Sequence, residues 1–549
     1  MEIEIISREN IKPSSPTFLH LRTFKFSLLD QIIPPYFHPV VLYFLPDSAA
    51  SSDAKGLLSQ RTLVLKKSLS LILTRFYPFA GIIGDSFSVD CNDGAVPFVV
   101  AKVKGQLSDF LRNPDLDLVQ NFLPNELSWT PSGTNILMIQ ANHFDCGGMV
   151  NRVIVSHAVA GGITLCSFLK AKKIIIVQGG AADSKCCHRQ GRRCSQQQVL
   201  SLAAMGSDER RCYISSSEAV AVERQQQLLL HATGSSQRRL PAARCETFKK
   251  LYRCKMTERS LVSAKVLKVI DVEKCLKFPT VLTFIEAQCP NYIAQSLFTP
   301  NDKIPEESYL FSNFHPFLIT GNCVLKRYVF DSSAISTLKA KSPGLRVQVM
   351  TAFIWKCFMA ACAAANNLPS LMVHAVDLRS RAVPPFSENC FGNFLWIAAV
   401  AAAESMKLTG HDQANLVTKV RESIRRIDGN FVKIMQGDEG LIGYIKNLEE
   451  TNALIHGEAN CLNFSSWCNF GVCDIGFGLG KPIWVANYVS TDSCDSPKLN
   501  DVMFLDNRYG KGMEVYVTLQ EQYAAALDKI EELLPLISIN PSPLELQHL

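Results

Sequence analysis

The sequence has no apolar run long enough to cross a membrane as a helix. Its longest uncharged apolar stretch spans residues 394–403, well short of the roughly 20 residues that a bilayer requires. The N-terminus, Met1–Ile6, also lacks the basic residues that precede the apolar core of a secretory signal. We therefore expect a cytoplasmic, soluble protein with no membrane partner.

Closely spaced cysteine pairs of the zinc-binding type are missing too, although the chain contains 19 cysteines. Most stand singly inside apolar runs, as Cys166, Cys357 and Cys362 do. That pattern is typical of free, buried thiols in a reducing compartment.

Length and charge indicate more than one domain and an uneven distribution of charge. The 549 residues exceed what one ordinary core can bury, so we expect two or more domains. Residues 171–270 contain 19 Lys or Arg and 7 Asp or Glu, a local net charge of +12, whereas the whole chain carries +6. The remainder is therefore close to −6, and any nucleic-acid binding must rest on the basic segment.

The basic segment has no sustained periodicity, and we expect residues 171–285 to form a disordered insertion and crossover. Its aromatic residues are few, which disfavours nucleic acid as a partner. A zinc site is also disfavoured because paired C-x-x-C arms are absent from its candidate ligands, Cys186, Cys187, His188, Cys194 and Cys212. We predict domains at 1–170 and 286–549, with residues 468–497 returning to the interface between them.

Candidate chemistry begins at His157, which follows a short strand-like run, Val153–Ser156. Gly161 and Gly162 come next, and an apolar helix begins soon after them. A rigid strand end can present an imidazole that accepts a proton near neutral pH. The alternative is a hydrogen-bonded structural histidine, which is the commoner role for a single histidine after an apolar strand.

Strands and helices alternate irregularly elsewhere, which is compatible with an α/β or an α+β class. We predict strands at 323–330 and 371–377, a buried helix at 347–365 and a closing helix at 519–534. For Arg379 and Arg381, a buried ion-pair network and a ligand contact remain equally open. Asn393 is interpreted as a turn residue.

The glycine-rich stretch Gly476–Lys481 has two interpretations, and a structural turn is the favoured one. A phosphate loop would need Ser or Thr after Lys481, where the chain has Pro482. Asp474 precedes this stretch by two residues.

Three separated segments follow one another along the chain. They are Ser156–Gly162, then Asp377–Arg381 with Gly392–Phe394, then Gly476–Pro482. With Pro13–Thr17 and Leu29–Gln31 near the start, the chain resembles the plant BAHD acyltransferases, in particular their vinorine synthase-like branch. The resemblance covers about residues 1–170 and 285–540.

The resemblance implies an α/β, two-domain, chloramphenicol-acetyltransferase-like fold with mixed sheets and a channel between the domains. It implies acyl-coenzyme A as co-substrate, a small-molecule acceptor alcohol or amine, and His157 as general base. Transfer is direct, so neither a resident cofactor nor a metal is expected. A monomer moving an acetyl group onto a plant specialised metabolite fits this pattern.

The chain departs from the family motifs at three positions. Gly161 stands where H-x-x-x-D has its aspartate, and Gly476 and Leu479 replace the aspartate and tryptophan of D-F-G-W-G-K-P. In the family the first aspartate holds an arginine, for which this chain offers Arg379 or Arg381. Loss of a carboxylate opposite a buried guanidinium costs about 3–5 kcal/mol.

These departures leave two outcomes open, an enzyme with reduced activity or an inactive relative. The remaining motif residues, assigned structural or channel-lining roles, are Arg379, Arg381, Gly478, Gly480 and Lys481.

Overall fold

The computed structural model describes most of the chain outside the basic segment. The described residues are 2–33, 36–46, 54–84, 87–122, 133–171, 174–178, 280–284, 289–301, 304, 322–363, 365–366, 368–402, 413–454, 459–477, 479–487 and 499–546. The predicted insertion lies outside them except for its two ends, and so do Gly478 and the five candidate zinc ligands. The backbone divides into two compact units, residues 1–175 with 284–549, and residues 176–283.

The strands of the described residues make up four sheets. They are β1 (Ile3–Ile11), β2 (Thr23–Lys25), β3 (Phe37–Phe44), β4 (Ile82–Ile83), β5 (Ser88–Asp90), β6 (Val96–Val103), β7 (Leu137–Phe144), β8 (Met149–Ser156), β9 (Ile174–Gln178), β10 (Thr280–Phe284), β11 (Cys323–Phe330), β12 (Ser370–Asp377), β13 (Leu395–Ala402), β14 (Asn460–Ser466), β15 (Trp484–Ala486), β16 (Asp501–Asp506), β17 (Met513–Gln520) and β18 (Ser538–Ile539).

The helices lie mainly against these sheets. They are α1 (Leu28–Gln31), α2 (Ala54–Leu73), α3 (Leu107–Arg112), α4 (Gly162–Ala171), α5 (Ala294–Leu297), α6 (Ser332–Lys341), α7 (Arg346–Ala363), α8 (Gln413–Arg426), α9 (Gly429–Ile434), α10 (Gly440–Asn452) and α11 (Glu521–Leu527).

The first sheet has the strand order β1-β6-β7-β8-β3-β15. Strands β3 and β8 are buried along their whole length, and most of their residues are apolar or β-branched. They pair antiparallel, and this pairing fixes where β8 ends and the chain turns toward α4. The edge strand β15 comes from the C-terminal half and pairs with β3 through Trp484 and Tyr43.

The second sheet has the order β13-β12-β14-β16-β17-β11-β18 and mixes parallel with antiparallel pairs. Helix α7 packs on one face of it and is buried almost all round, as its apolar sequence predicts. On the opposite face, Met503, Leu505 and Tyr516 belong to the hydrophobic core of the first sheet. That face therefore meets the N-terminal half of the chain.

A buried polar network joins the two sheets. The guanidinium of Arg327 on β11 donates to the carboxylate of Glu514 on β17 at 2.7 Å, and both side chains are almost fully buried. The indole of Trp484 donates to the same carboxylate oxygen at 3.0 Å. Because Trp484 lies on the edge of the first sheet, this carboxylate links that edge to the second sheet.

The mixed sheets and their helices agree with the α/β class that the family resemblance implies. The predicted strand at 323–330 is confirmed, and the buried helix is confirmed within two residues at its C-terminal end. The closing helix predicted at 519–534 is wrong in its bounds, because β17 continues to Gln520 and α11 ends at Leu527.

Among the described residues, no single helix is long and apolar enough to span a membrane. Only α6 and α7 taken together pass that test by length and composition, and they bend by 82° at the break between them.

Candidate active site

His157 is the first residue after β8, at the point where the two halves of the chain meet. Its backbone N–H donates to the carbonyl of Tyr36 at 2.8 Å, which ties the turn to the start of β3. Helix α4 begins at Gly162, where a Cβ would lie 2.6 Å from the indole of Trp467. Glycine at 162 therefore permits the close approach of Trp467 to the histidine turn.

The imidazole is surrounded by aromatic rings yet keeps part of its surface accessible. The Tyr36 ring lies 5.1 Å from it and the His38 ring 5.8 Å, and Trp467 stacks on His38 at 5.1 Å. The residue as a whole is half-buried.

Burial also keeps the imidazole neutral. It lowers the pKa of His157 to about 4, because the charged form loses its hydration. At neutral pH the ring therefore has a lone pair available for a proton. Burial, followed by the proximity of His157, lowers the pKa of His38 to about 3, so neither of these neighbouring rings carries charge.

Asn393 holds the histidine turn from the other half of the chain. Its side-chain Nδ2 donates to the carbonyls of His157 at 2.8 Å and Ala158 at 3.3 Å. Gly392, at φ +118°, adopts a backbone conformation that favours glycine, and the turn there presents Asn393. Asn393 is 1% exposed, so its hydrogen bonds lie in a region of low dielectric constant, where they are stronger than in water. The sequence interpretation of Asn393 as a plain turn residue is therefore incomplete.

Asp30 in turn anchors Asn393. One carboxylate oxygen of Asp30 accepts from the Asn393 backbone N–H at 2.6 Å and from its Nδ2 at 3.1 Å. The other oxygen accepts from the backbone and hydroxyl of Ser27, which forms a capping box at the start of α1. Burial raises the pKa of Asp30 to about 6 against the opposing effect of these donors. Asp30, Asn393 and His157 thus form one hydrogen-bonded series.

Gly161, at the position of the missing motif aspartate, faces Asn393. A Cβ at this glycine would lie 2.9 Å from Asn393 Oδ1, and the next nearest atoms are Asn393 Cγ and the Gly392 carbonyl, both at 3.8 Å. Asn393 Oδ1 is buried and has no hydrogen-bond partner among the described residues. No atom of Arg379 or Arg381 is among the three atoms nearest to that Cβ position.

Arg379 is held by other groups instead. It pairs with Asp377 at 2.8 Å and donates to the carbonyls of Cys390 and Gly392 at 2.9 and 3.1 Å. Its guanidinium also lies 4.4 Å from the Phe394 ring centre. The absence of a carboxylate at 161 therefore does not leave this buried guanidinium without a counter-charge.

Arg381 caps a helix. It donates to the carbonyls of Ile424 and Ile427 at 3.1 and 2.7 Å, at the C-terminal end of α8. Both motif arginines therefore make structural contacts within the described residues.

The described residues of the glycine-rich stretch lie close together beside the hydrophobic core of the first sheet. A Cβ at Gly476 would lie 2.9 Å from the Gly480 carbonyl, and Gly480 adopts φ +81°. Phe477 packs into the core of the first sheet, and Leu479 lies partly buried against it. Lys481 is exposed and pairs with Asp474 at 2.6 Å.

The described residues contain no cluster of three or more His, Cys, Asp or Glu side chains that could hold a metal ion.

Sequence reasoning found His157 and the altered glycines but assigned no role to Asp30, Tyr36, His38 or Trp467. Asp30 carried a weak signal as part of Leu29–Gln31. Its contact with Asn393 joins positions 363 residues apart, which no local pattern reveals.

Comparison with known proteins places this site in a family. The Transferase family profile matches residues 1–190 and 296–534. An epi-neemfruitin B 7-O-acetyltransferase from Melia azedarach is 32% identical over 99% of this chain and 100% of its own length. A limonoid 7-O-acetyltransferase from Citrus sinensis is 31% identical over the same shares.

Solved structures agree with this assignment. Vinorine synthase superposes with a TM-score of 0.64 at 25% identity, covering 98% of this chain and 99% of that one. The Fusarium sporotrichioides TRI101, solved with coenzyme A and T-2, shares the fold at a TM-score of 0.52 and 14% identity, over 94% of this chain and 99% of its own. The chain belongs to the BAHD transferase family, in its vinorine synthase-like branch, and is an acyltransferase.

Proposed function

We propose that this enzyme transfers an acetyl group from acetyl-coenzyme A to a hydroxyl of a plant specialised metabolite, with His157 as the general base. The proposal is supported above all by the neutral, partly accessible imidazole at the strand end, held by Asn393. The relatives' names support acetyl as the acyl group and an alcohol as the acceptor. An amine acceptor would use the same base.

The chemistry is one direct transfer. The acceptor oxygen attacks the thioester carbonyl carbon while the imidazole of His157 takes the hydroxyl proton. The tetrahedral intermediate then collapses, the carbon–sulfur bond breaks, and the coenzyme A thiolate leaves. The imidazolium returns its proton to the sulfur, so the products are an acetyl ester and free coenzyme A. The low pKa of His157 makes that return favourable and makes the first abstraction harder, so the geometry of the turn matters.

A catalytically impaired relative is the second candidate, favoured by Gly161 and Gly476. A Cβ added at Gly161 would lie too close to Asn393 Oδ1, and a Cβ added at Gly476 would lie too close to the Gly480 carbonyl. This candidate predicts an intact fold with very slow or no turnover.

The test is thiol release from acetyl-coenzyme A by the purified full chain with a panel of polycyclic alcohols, together with mass analysis of the products. Active enzyme releases thiol only when an acceptor is present and yields a product heavier by one acetyl group. No acceptor-dependent release from any alcohol, with a folded protein, would favour the impaired candidate.

We also propose that the enzyme acts as a cytoplasmic monomer. The described cysteines, of which seven are buried, are free thiols, which suits a reducing compartment. Sedimentation of the purified chain and imaging of a tagged full-length protein in plant cells would test this. A stable dimer, or accumulation in a secretory compartment, would contradict it.

A further inference from the structure

The second sheet turns a polar pair toward the N-terminal half of the chain. Side chains alternate between the faces of a strand, and on β16 Val502 and Phe504 pack in the core beside α7. Met503 and Leu505 pack in the core of the first sheet. Asp501 shares the face of Met503, so its carboxylate points to the side where the two halves meet.

Asn463 lies beside Asp501 on the same face. The two residues are register partners in the parallel pair β14 and β16, and cross-strand partners project to one side of a sheet. Asn463 is 6% exposed and uses Nδ2 to donate to the Asn500 carbonyl at 3.2 Å. Its Oδ1 is buried and has no hydrogen-bond partner among the described residues.

The pair lies close to the catalytic histidine. Burial chiefly, and then the negative charge of Asp501, raises the pKa of Tyr36. The Tyr36 ring lies 5.1 Å from the His157 imidazole, so the charge of Asp501 acts on the ring that borders the base. Asp501, like His157, is half-buried.

Asp501 and Asn463 present oxygen atoms without donors among the described residues. Burial raises the pKa of Asp501 to about 7, so the carboxyl is ionised at mildly alkaline pH. A desolvated carboxylate beside an unpaired amide oxygen is costly unless a donor reaches it. A ligand hydroxyl or ammonium would satisfy both oxygens.

Resting on the proposed function, we propose that Asp501 and Asn463 form an acceptor subsite for a second hydrogen-bond-donating group of the substrate, remote from the hydroxyl that is acylated. The subsite selects acceptors that carry an extra hydroxyl or a protonated amine. Loss of either side chain then lowers affinity for such acceptors without changing affinity for those that lack the group.

The test uses three rigid steroid probes: a monoalcohol, the same alcohol with a second hydroxyl at its far end, and the same alcohol with a primary amine there. Calorimetric binding to the full chain is measured at mildly alkaline pH, together with thiol release from acetyl-coenzyme A. The variants are Asp501→Asn, Asp501→Leu and Asn463→Leu. Asp506→Asn is the matched control, because it removes a carboxylate from the other end of β16.

The natural chain is expected to bind the diol and the amino alcohol at least about tenfold more tightly than the monoalcohol, since hydrogen bonds to charged groups contribute that much. Asp501→Asn reduces the amine advantage about tenfold and keeps most of the diol advantage, and both Leu variants abolish both advantages. Asp506→Asn leaves the ratios unchanged. Thermal unfolding verifies that each variant is folded.

Equal affinity of the natural chain for the three probes would overturn the subsite. So would equal changes in the ratios from Asp501→Asn and Asp506→Asn. If the affinity ratios are as expected but no thiol is released, the proposed acetyl transfer is wrong and the subsite is still supported.

Discussion

The side-chain amide of Asn393 donates to the backbone carbonyl of His157 at 2.8 Å across 236 residues of sequence. The same amide donates to Asp30, which completes the capping box of helix α1 with Ser27. The position of the base therefore depends on a contact between the N-terminal and C-terminal halves, and separating the halves would displace it.

Asn393→Ala should lower kcat about 100-fold, because an imidazole displaced by about 1 Å loses its alignment with the acceptor. It should also lower the free energy of unfolding by about 1–3 kcal/mol, since the buried Asp30 carboxylate loses a donor. Thiol-release kinetics and chemical denaturation measure the two effects. Asn447→Ala is the control, because that amide donates to the Gly443 carbonyl within its own helix, α10. An Asn393→Ala enzyme with unchanged kcat would show that the amide does not position the base.

Gly161→Asp should fail to raise activity even though it restores the family motif. The new Cβ would lie 2.9 Å from Asn393 Oδ1, and three donations from Nδ2 prevent that amide from rotating. We expect lower kcat/KM and lower stability for Gly161→Asp, and a smaller loss for Gly161→Ala. A clear gain in kcat/KM for Gly161→Asp would show that Asn393 gives way and that the missing carboxylate alone limits the enzyme.

The acid limb of kcat/KM should have its midpoint near pH 4. The pKa of His157 is lowered by burial, so the ring stays neutral as pH falls through the ordinary range of histidine and becomes protonated only near 4. Protonated imidazole cannot accept the acceptor's proton. Unfolding is measured over the same range, so that loss of structure is not mistaken for titration. An acid midpoint near 6.5 in folded enzyme would contradict the burial of the base.

Glu514→Gln should lower the free energy of unfolding by about 3 kcal/mol. It leaves Arg327, which is fully buried, without its carboxylate, and an uncompensated buried charge is strongly destabilising. Denaturant unfolding monitored by tryptophan fluorescence measures the loss. Asp474→Asn is the control, because its pair with Lys481 is exposed and should contribute little. Equal losses for the two variants would show that the buried network does not join the sheets as described.

The long apolar strands and the buried helix α7 could be predicted because their periodicity matches their environment. Strand β1 was missed for a physical reason: it is a mostly exposed edge strand whose register shifts between Ile5 and Ser7, so alternation is interrupted. The predicted closing helix ran too far in both directions, since Leu519 and Gln520 continue the pairing of β17 with β11.

The sequence predicted site residues only where a single local pattern identified them. His157 stands at a strand end that the sequence displays, and the altered glycines follow from the motif spacing. Asp30, Asn393 and Asp501 became recognisable only in the fold, because strand alternation assigns a residue to a face without saying which face meets the other half. Position 161 faces Asn393 and not the expected arginine, and Arg379 pairs with Asp377.

The most direct test of the account compares thiol release by the natural enzyme and by His157→Ala, with acetyl-coenzyme A affinity measured by calorimetry for both proteins. The account predicts that His157→Ala binds acetyl-coenzyme A as the natural enzyme does and loses acceptor-dependent thiol release by at least about 100-fold. Equal release rates for the two folded proteins would contradict it, since the imidazole would then have no part in the transfer.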